Sequence, residues 1–238
     1  RYVAGTAESR AAQLREAWAD PSVDAILAIR GGYGSVQMLP LLDAGDVGSA
    51  ALIGYSDVTS LHVWVTGLAA RASVHGPMID RKLSAGPDAY DARTFLGSLR
   101  PEPLGELAPD GLEALRVGEA GGPLFGGTIS QLLGSLATPF AFAPPVDAVL
   151  FLDEVGERPY RLDRMLTQLR QTGILSRASA IVVGQLPGCD EPDGRVTGRE
   201  VFAEALADFH GPVLLGFPSG HTTTTLVSLP LGAWTTVV

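Results

Sequence analysis

The sequence predicts an α/β protein of two domains, each a parallel sheet covered by helices. Strand-like apolar runs alternate with stretches of helical spacing from the first residues onward. A segment crowded with Pro and Gly, 101–123, then interrupts the pattern, and the alternation resumes behind it and continues to the end. With 238 residues, 46% hydrophobic and only 18% charged, the chain has enough apolar surface for two such cores.

The elements follow in order. Thr6 can cap a helix whose apolar positions Ala11, Leu14 and Trp18 keep helical spacing and which stops at Asp20-Pro21. Asp24–Arg30 reads as a buried strand running straight into Gly31-Gly32-Tyr33-Gly34. Val36, Leu39, Leu41 and Leu42 belong to a second helix, Ala51–Tyr55 to a strand, and Val58, Leu61, Val65 and Leu68 to one helix face. Ser73–His75 is a short strand ahead of Gly76-Pro77. These form a first domain, 1–100, with 101–123 as linker and 124–238 as second domain. There the spacing predicts a helix over Thr128–Leu136 and a strand over Ala148–Leu152. Leu162, Met165, Leu166 and Leu169 mark a clear amphipathic helix stopped by Gly173. Ala180–Gly184 is a strand, and Thr197 with Glu200 forms a capping box for a helix burying Phe202, Ala205, Leu206 and Phe209. Val213–Gly216 and Thr223–Leu229 read as the last strands.

Composition narrows the function classes. The net charge is −9 and no basic run occurs, which argues against a surface that tracks nucleic-acid phosphates. One cysteine, Cys189, excludes an intrachain disulfide framework and a multi-cysteine metal site, and suggests a reducing, cytoplasmic setting. Apolar runs such as Val146–Leu152 are far shorter than the roughly 20 residues that cross a bilayer. Cys189–Glu200 imitates a calcium loop, but Cys stands at the first ligand position and Pro192 intrudes.

Three places could carry chemistry. Ile53-Gly54-Tyr55-Ser56-Asp57 turns sharply from a strand into a helix, which puts a serine beyond the carboxyl end of a sheet with backbone N–H groups beneath it. The usual hydrolase elbow wants Gly two residues after the serine, and Val58 stands there, so Ser56 or Asp57 is equally readable as a helix cap. Arg30-Gly31-Gly32-Tyr33-Gly34 can expose N–H groups to an anion or serve as a plain turn; it lacks the third glycine of a dinucleotide fingerprint. A serine needs a base, and the choices are His62, His75, His210 and His221, each also explicable as structural. The base needs a carboxylate, for which Asp153-Glu154 at a strand end is available. Arg158, Arg161 and Arg164 recur along a helix beside Glu157 and Asp163, an ion-paired face from which one arginine could reach a substrate carboxylate.

Together these segments resemble the LD-carboxypeptidase family of serine peptidases, which includes muramoyltetrapeptide carboxypeptidases and microcin C immunity peptidases. The matching stretches are Arg30–Leu39 (RGGYGSVQML), Gly54–His62 (GYSDVTSLH), His75-Gly76-Pro77-Met78, Gly126–Pro139 (GGTISQLLGSLATP), Leu150–Leu169 (LFLDEVGERPYRLDRMLTQL) and Gly220–Gly232 (GHTTTTLVSLPLG). The resemblance implies a flavodoxin-like N-terminal domain, a smaller α/β C-terminal domain and a site between them that hydrolyses amides with no metal and no cofactor. It implies Ser56 as nucleophile, His221 as base, and an oxyanion hole from the N–H groups of Asp57 and of the glycine pair, Gly32 foremost, with Gly31 beside the substrate. Where the family usually has Leu-Glu-Asp this chain reads Leu152-Asp153-Glu154, so Asp153 takes the relay position and Glu154 would need a one-residue shift. The family also begins about one βαβ unit earlier and runs somewhat further. On that pattern the first sheet is expected to lack strands.

The expected reaction is release of the terminal D-alanine from muropeptide tetrapeptides, with Arg30 or Arg158 meeting the free carboxylate. Two alternatives stand beside it: cleavage of a peptidyl or aminoacyl-sulfamoyl adenylate, which an aromatic near the site to stack the adenine would favour (the sequence alone does not place Trp64 or Trp234), and a degenerate module that binds without turnover. A small peptide is the expected partner, without nucleic acid or membrane, and a homodimer is left open.

Overall fold

A computed structural model describes residues 2–238. Its first part alternates as expected: α1 (Ala7–Ala19), β1 (Ala25–Leu27), α2 (Ser35–Met38), β2 (Ala51–Gly54), α3 (Thr59–Gly67), β3 (Ser73–His75) and α4 (Ala92–Gly97). The remainder comprises β4 (Glu113–Arg116), β5 (Ala120–Thr128), α5 (Ile129–Ser135), β6 (Val149–Asp153), α6 (Pro159–Gln171), β7 (Ala180–Gly184), α7 (Gly198–Ala205), β8 (Val213–Phe217), β9 (Leu229–Leu231) and β10 (Trp234–Val237). Thr6 caps α1, and the Thr197–Glu200 box opens α7. Among the described residues no helix is long and apolar enough to cross a membrane.

The strands form two sheets. The first runs β1-β2-β3-β9, parallel except for β9; the second runs β10-β5-β6-β7-β8-β4, with four parallel strands between antiparallel edges. The second sheet is thus the wider one. Its centre is dry: every residue of β6 and β7 is buried. That fits strands covered on both faces, which need no polar alternation. Apolar faces of α5, α6 and α7 close one side through Leu132, Leu162, Leu166, Leu169 and Phe202.

Three segments differ from the sequence expectation. The proposed linker 101–123 contributes β4 and the start of β5. Glycines mark close packing there: a Cβ on Gly122 would lie 1.8 Å from Asp147 O, and one on Gly126 1.9 Å from Phe151 O. The second helix ends early, at Met38, and tightens into a 3₁₀ turn over Leu39–Leu41, where Pro40 has no N–H to continue it. The expected strand over Thr223–Leu229 is absent up to Ser228, and β9 begins only at Leu229. Gln185 takes bonds from Thr222 and Thr223, and the Lys82 ammonium donates to the carbonyls of Thr222 and Thr224, so side chains occupy the groups a ladder would need. Only Leu226 bridges, to Tyr90.

The two sheets meet through the elbow helix. Thr59, fully buried on α3, accepts the Thr128 N–H at 3.1 Å, and a Cβ on Gly127 would fall 2.7 Å from the Thr59 side chain. Glycine at 127 is what lets α3 close on β5. One step along, Ser60 Oγ donates to Gln131 Oε1 at 3.1 Å.

Candidate active site

Ser56, Asp153, His75 and the loop carrying His221 all lie at the carboxyl ends of strands, where ligands bind in open parallel sheets. β2 ends at Gly54, Tyr55 is extended, and Ser56 then takes φ +64° before the chain enters a 3₁₀ turn and α3. A non-glycine residue in this region is strained by about 1 kcal/mol or more, and such strain is typical of a serine held out on an elbow.

The glycine loop is fastened to this turn. Asp57, 7% exposed, accepts both the N–H and the hydroxyl of Ser35, at 2.9 and 2.8 Å. Gly31 lies against the serine itself: a Cβ there would be 2.8 Å from Ser56 Cβ and 2.9 Å from its Oγ. Gly32 has φ +118° and open space around it. The two segments that sequence marked separately, joined by a bond between residues 22 apart, are therefore one structure. Arg30 is exposed and lines a cleft of about 680 Å³ that also borders Gly31, Gly32 and Asp57.

The acid and the imidazole come from the second sheet. Asp153 closes β6 and is fully buried. Its Oδ2 is 2.7 Å from His221 Nδ1, and its Oδ1 accepts the His221 backbone N–H at 3.2 Å. Thr128 Oγ1 adds a bond to Oδ2 at 3.2 Å. One carboxylate thus holds both the ring and the backbone of a residue 68 positions away. It leaves His221 Nε2 as the free ring nitrogen. The imidazole stands edge-on to Tyr55, ring centroids 5.2 Å apart, which puts it beside the residue that precedes Ser56. Burial and the charge of Asp153 raise the Tyr55 phenol above its usual range.

Glu154 faces the other way, as alternation along a strand requires. Its carboxylate accepts the Ser130 N–H at the start of α5 at 2.9 Å and its neighbour Val155 N–H at 3.0 Å. It does not contact His221 and acts as a clamp on α5. Burial raises its pKa, opposed by those two N–H bonds. Arg158 is ion-paired with Glu191 at the surface. Of the other histidines, His62 is fully buried between Ser73 Oγ and Gly54 O, each 2.9 Å away, and burial lowers it to about 4. His210 is exposed against Phe209. Trp64 stacks on Trp18 in the core, and Trp234 pairs with Pro123 five residues from the site end of β5. Thr128 and Gly220 escaped the sequence reading. Gly220 carries φ +71°, and a Cβ on it would lie 2.6 Å from Asp153 Oδ2; only its place beside the histidine hinted at that.

A strained serine turn on one sheet and a carboxylate-held imidazole on the other form an arrangement suited to hydrolytic chemistry. The chain belongs to the LD-carboxypeptidase family. The family model for the LD-carboxypeptidase N-terminal domain matches residues 1–76, and that for the C-terminal domain matches residues 121–237. A putative carboxypeptidase of Streptomyces coelicolor is 36% identical over 92% of this chain and 71% of its own. The murein tetrapeptide carboxypeptidase of Pseudomonas aeruginosa is 32% identical over 93% of this chain and 75% of its own. Among solved structures, a muramoyltetrapeptide carboxypeptidase from Oxalobacter formigenes superposes with TM-score 0.82 at 26% identity, covering 98% of this chain and 79% of that one. The microcin C7 self-immunity protein MccF superposes with TM-score 0.87 at 22% identity, covering 98% and 78%, a likeness of fold.

Proposed function

We propose that the protein is a serine-type LD-carboxypeptidase that releases the terminal D-alanine from murein tetrapeptides. The 2.7 Å bond between buried Asp153 and His221 Nδ1 carries the reading, because it fixes the tautomer a general base needs. With Nε2 free, His221 takes the Ser56 proton as Oγ attacks the carbonyl carbon next to the D-residue. The oxyanion formed is met by the N–H of Asp57 and by the glycine loop, Gly31 or Gly32. Collapse breaks the C–N bond, His221 returns the proton to the departing amine, and water then hydrolyses the acyl-enzyme by the same route. Arg30 at the open cleft is the candidate for the substrate carboxylate; the Arg158 charge is already balanced by Glu191.

The rival substrate is an aminoacyl-sulfamoyl nucleotide, on the strength of the MccF-like fold. Sequence identity favours murein peptides: relatives named for murein reach 29–32%, against 23% for MccF of Escherichia coli. Incubation with a muropeptide tetrapeptide, with chromatographic detection of D-alanine, tests the proposal. Release by the native protein and none by Ser56→Ala is expected. Undiminished release by Ser56→Ala would end the mechanism, and turnover of the sulfamoyl nucleotide alone would end the substrate assignment.

A further inference from the structure

We propose that His75 is a positioning residue of this site, acting through Ser219 to fix the peptide that carries His221. His75 closes β3 in the first sheet, whereas His221 follows β8 in the second. Its ring is fully buried, and Nδ1 is 3.0 Å from Ser219 Oγ, a bond between residues 144 apart in sequence. Ser219 is also fully buried and sits two residues before His221. The residue between them, Gly220, is pinched: a Cβ there would lie 2.6 Å from Asp153 Oδ2 and 2.7 Å from His75 Cε1. The His221 loop is thus gripped between the carboxylate that orients the imidazole and the His75 ring. Phe151 stands edge-on to His75 at 5.0 Å. Being two residues before Asp153 on β6, it shares that residue's face. His75 forms a floor under the whole acid–imidazole pair.

A histidine is a costly choice for that floor. Its Nε2 is buried without a partner, and a phenylalanine would fill similar space with no unmet polar atom. What histidine offers here is the bond to Ser219. That bond ties the sheet bearing the serine to the loop bearing the base, so the relative placement of the two reacting groups depends on it. The titratable groups facing the ring are His62 from α3, Tyr55 from the end of β2, Asp153 from β6 and His221 itself. Burial and the two neighbouring imidazoles keep His75 far below the usual histidine range, so it remains neutral while His221 cycles.

The kinetic arm of the test rests on the proposed carboxypeptidase activity; a second arm does not. Ser219→Ala and His75→Phe remove the bond from either side while nearly preserving volume, and His75→Asn puts a polar atom back near the position of Nδ1. Displacing a catalytic group by about 1 Å can cost on the order of a hundredfold. The expected result is a fall in kcat of about tenfold or more for each of the first two variants, with KM within about twofold. The double variant should be no slower than the slower single one, and His75→Asn should recover most of the loss. Independently of substrate, the downfield NMR signal of the His221 Nδ1 proton should broaden or exchange faster in both variants. Folded Ser219→Ala protein with unchanged kcat and an unchanged Nδ1 signal overturns the proposal, as do losses that multiply in the double variant. If the native protein releases no D-alanine, the proposed function fails, and the NMR signal alone then decides for or against His75.

Discussion

The serine half of the site and the acid–imidazole half are built by different means. The serine half spans Arg30 to Asp57, belongs to one sheet, and concentrates its special features in backbone: a φ of +64° at Ser56 and a glycine, Gly31, where a side chain would strike the serine. The acid–imidazole half joins residues 68 apart across β6 and the loop after β8, and concentrates its features in side-chain bonds to one buried carboxylate. The first half is thus vulnerable to any added atom, the second to any lost bond. A local motif can specify the former, whereas the latter exists only when a second sheet is folded and docked.

The sharpest test of that contrast removes one reacting group from each half. Ser56→Ala should lower kcat by about a thousandfold or more, with folding intact. Ser56→Gly should be equally inactive yet more stable by about 1 kcal/mol in urea unfolding, because glycine accepts φ +64° without strain. An inactive variant with no gain in stability would show that the turn stores no strain.

Next come the adjacent acids. Asp153→Asn should cost about a thousandfold in kcat, since the amide cannot hold the same His221 tautomer. Glu154→Gln, which touches only N–H groups of α5 and its neighbour, should keep kcat within about threefold and lower the melting temperature instead. Equal losses in the two variants would dissolve the distinction between them.

The glycine loop is expected to give a smaller effect. Gly31→Ala places a methyl 2.8 Å from Ser56 Cβ and should reduce kcat by roughly ten- to a hundredfold, with a modest change in stability. Wild-type rates from this variant would separate the loop from the serine.

The last expected effect is one of pH on the serine half. His62 is neutral and fully buried, with a folded pKa of about 4 against an ordinary 6.5. A depressed histidine means the unfolded chain binds a proton that the native one refuses, so stability falls as pH drops from about 6.5 towards 4. The slope is about 1.4 kcal/mol per pH unit from this group. Urea titrations at pH 7 and pH 5 should show the loss, and His62→Gln should reduce the slope without abolishing it, because buried His75 is depressed as well.

Much of this was legible in the sequence wherever the signal is local. Thr6, the Thr197–Glu200 box and the α6 stripe declared their helices because capping and 3.6-residue spacing act within a few residues. The glycine-rich strand β5 was not legible. Glycines 121 and 122 read as linker, yet Gly122, like Gly126 further along the strand, stands where another backbone approaches too closely for a Cβ. Such closeness is a property of the partner strand, invisible in the run itself. The threonine run after His221 misled in the opposite direction, since β-branched residues suggested a strand that Gln185 and Lys82 instead hold as a loop.

By itself, then, the sequence determined that Ser56 follows one strand, that Gly31 and Gly32 follow another, and that Asp153 and Glu154 end a third, for these depend on chain neighbours alone. Which acid meets His221 was decided when β6 and β8 came together in the second sheet, and that His75 lies beneath them only when the two sheets docked. The physical reason is that a strand turns successive side chains to opposite faces, and only the packed partner determines which face becomes the site.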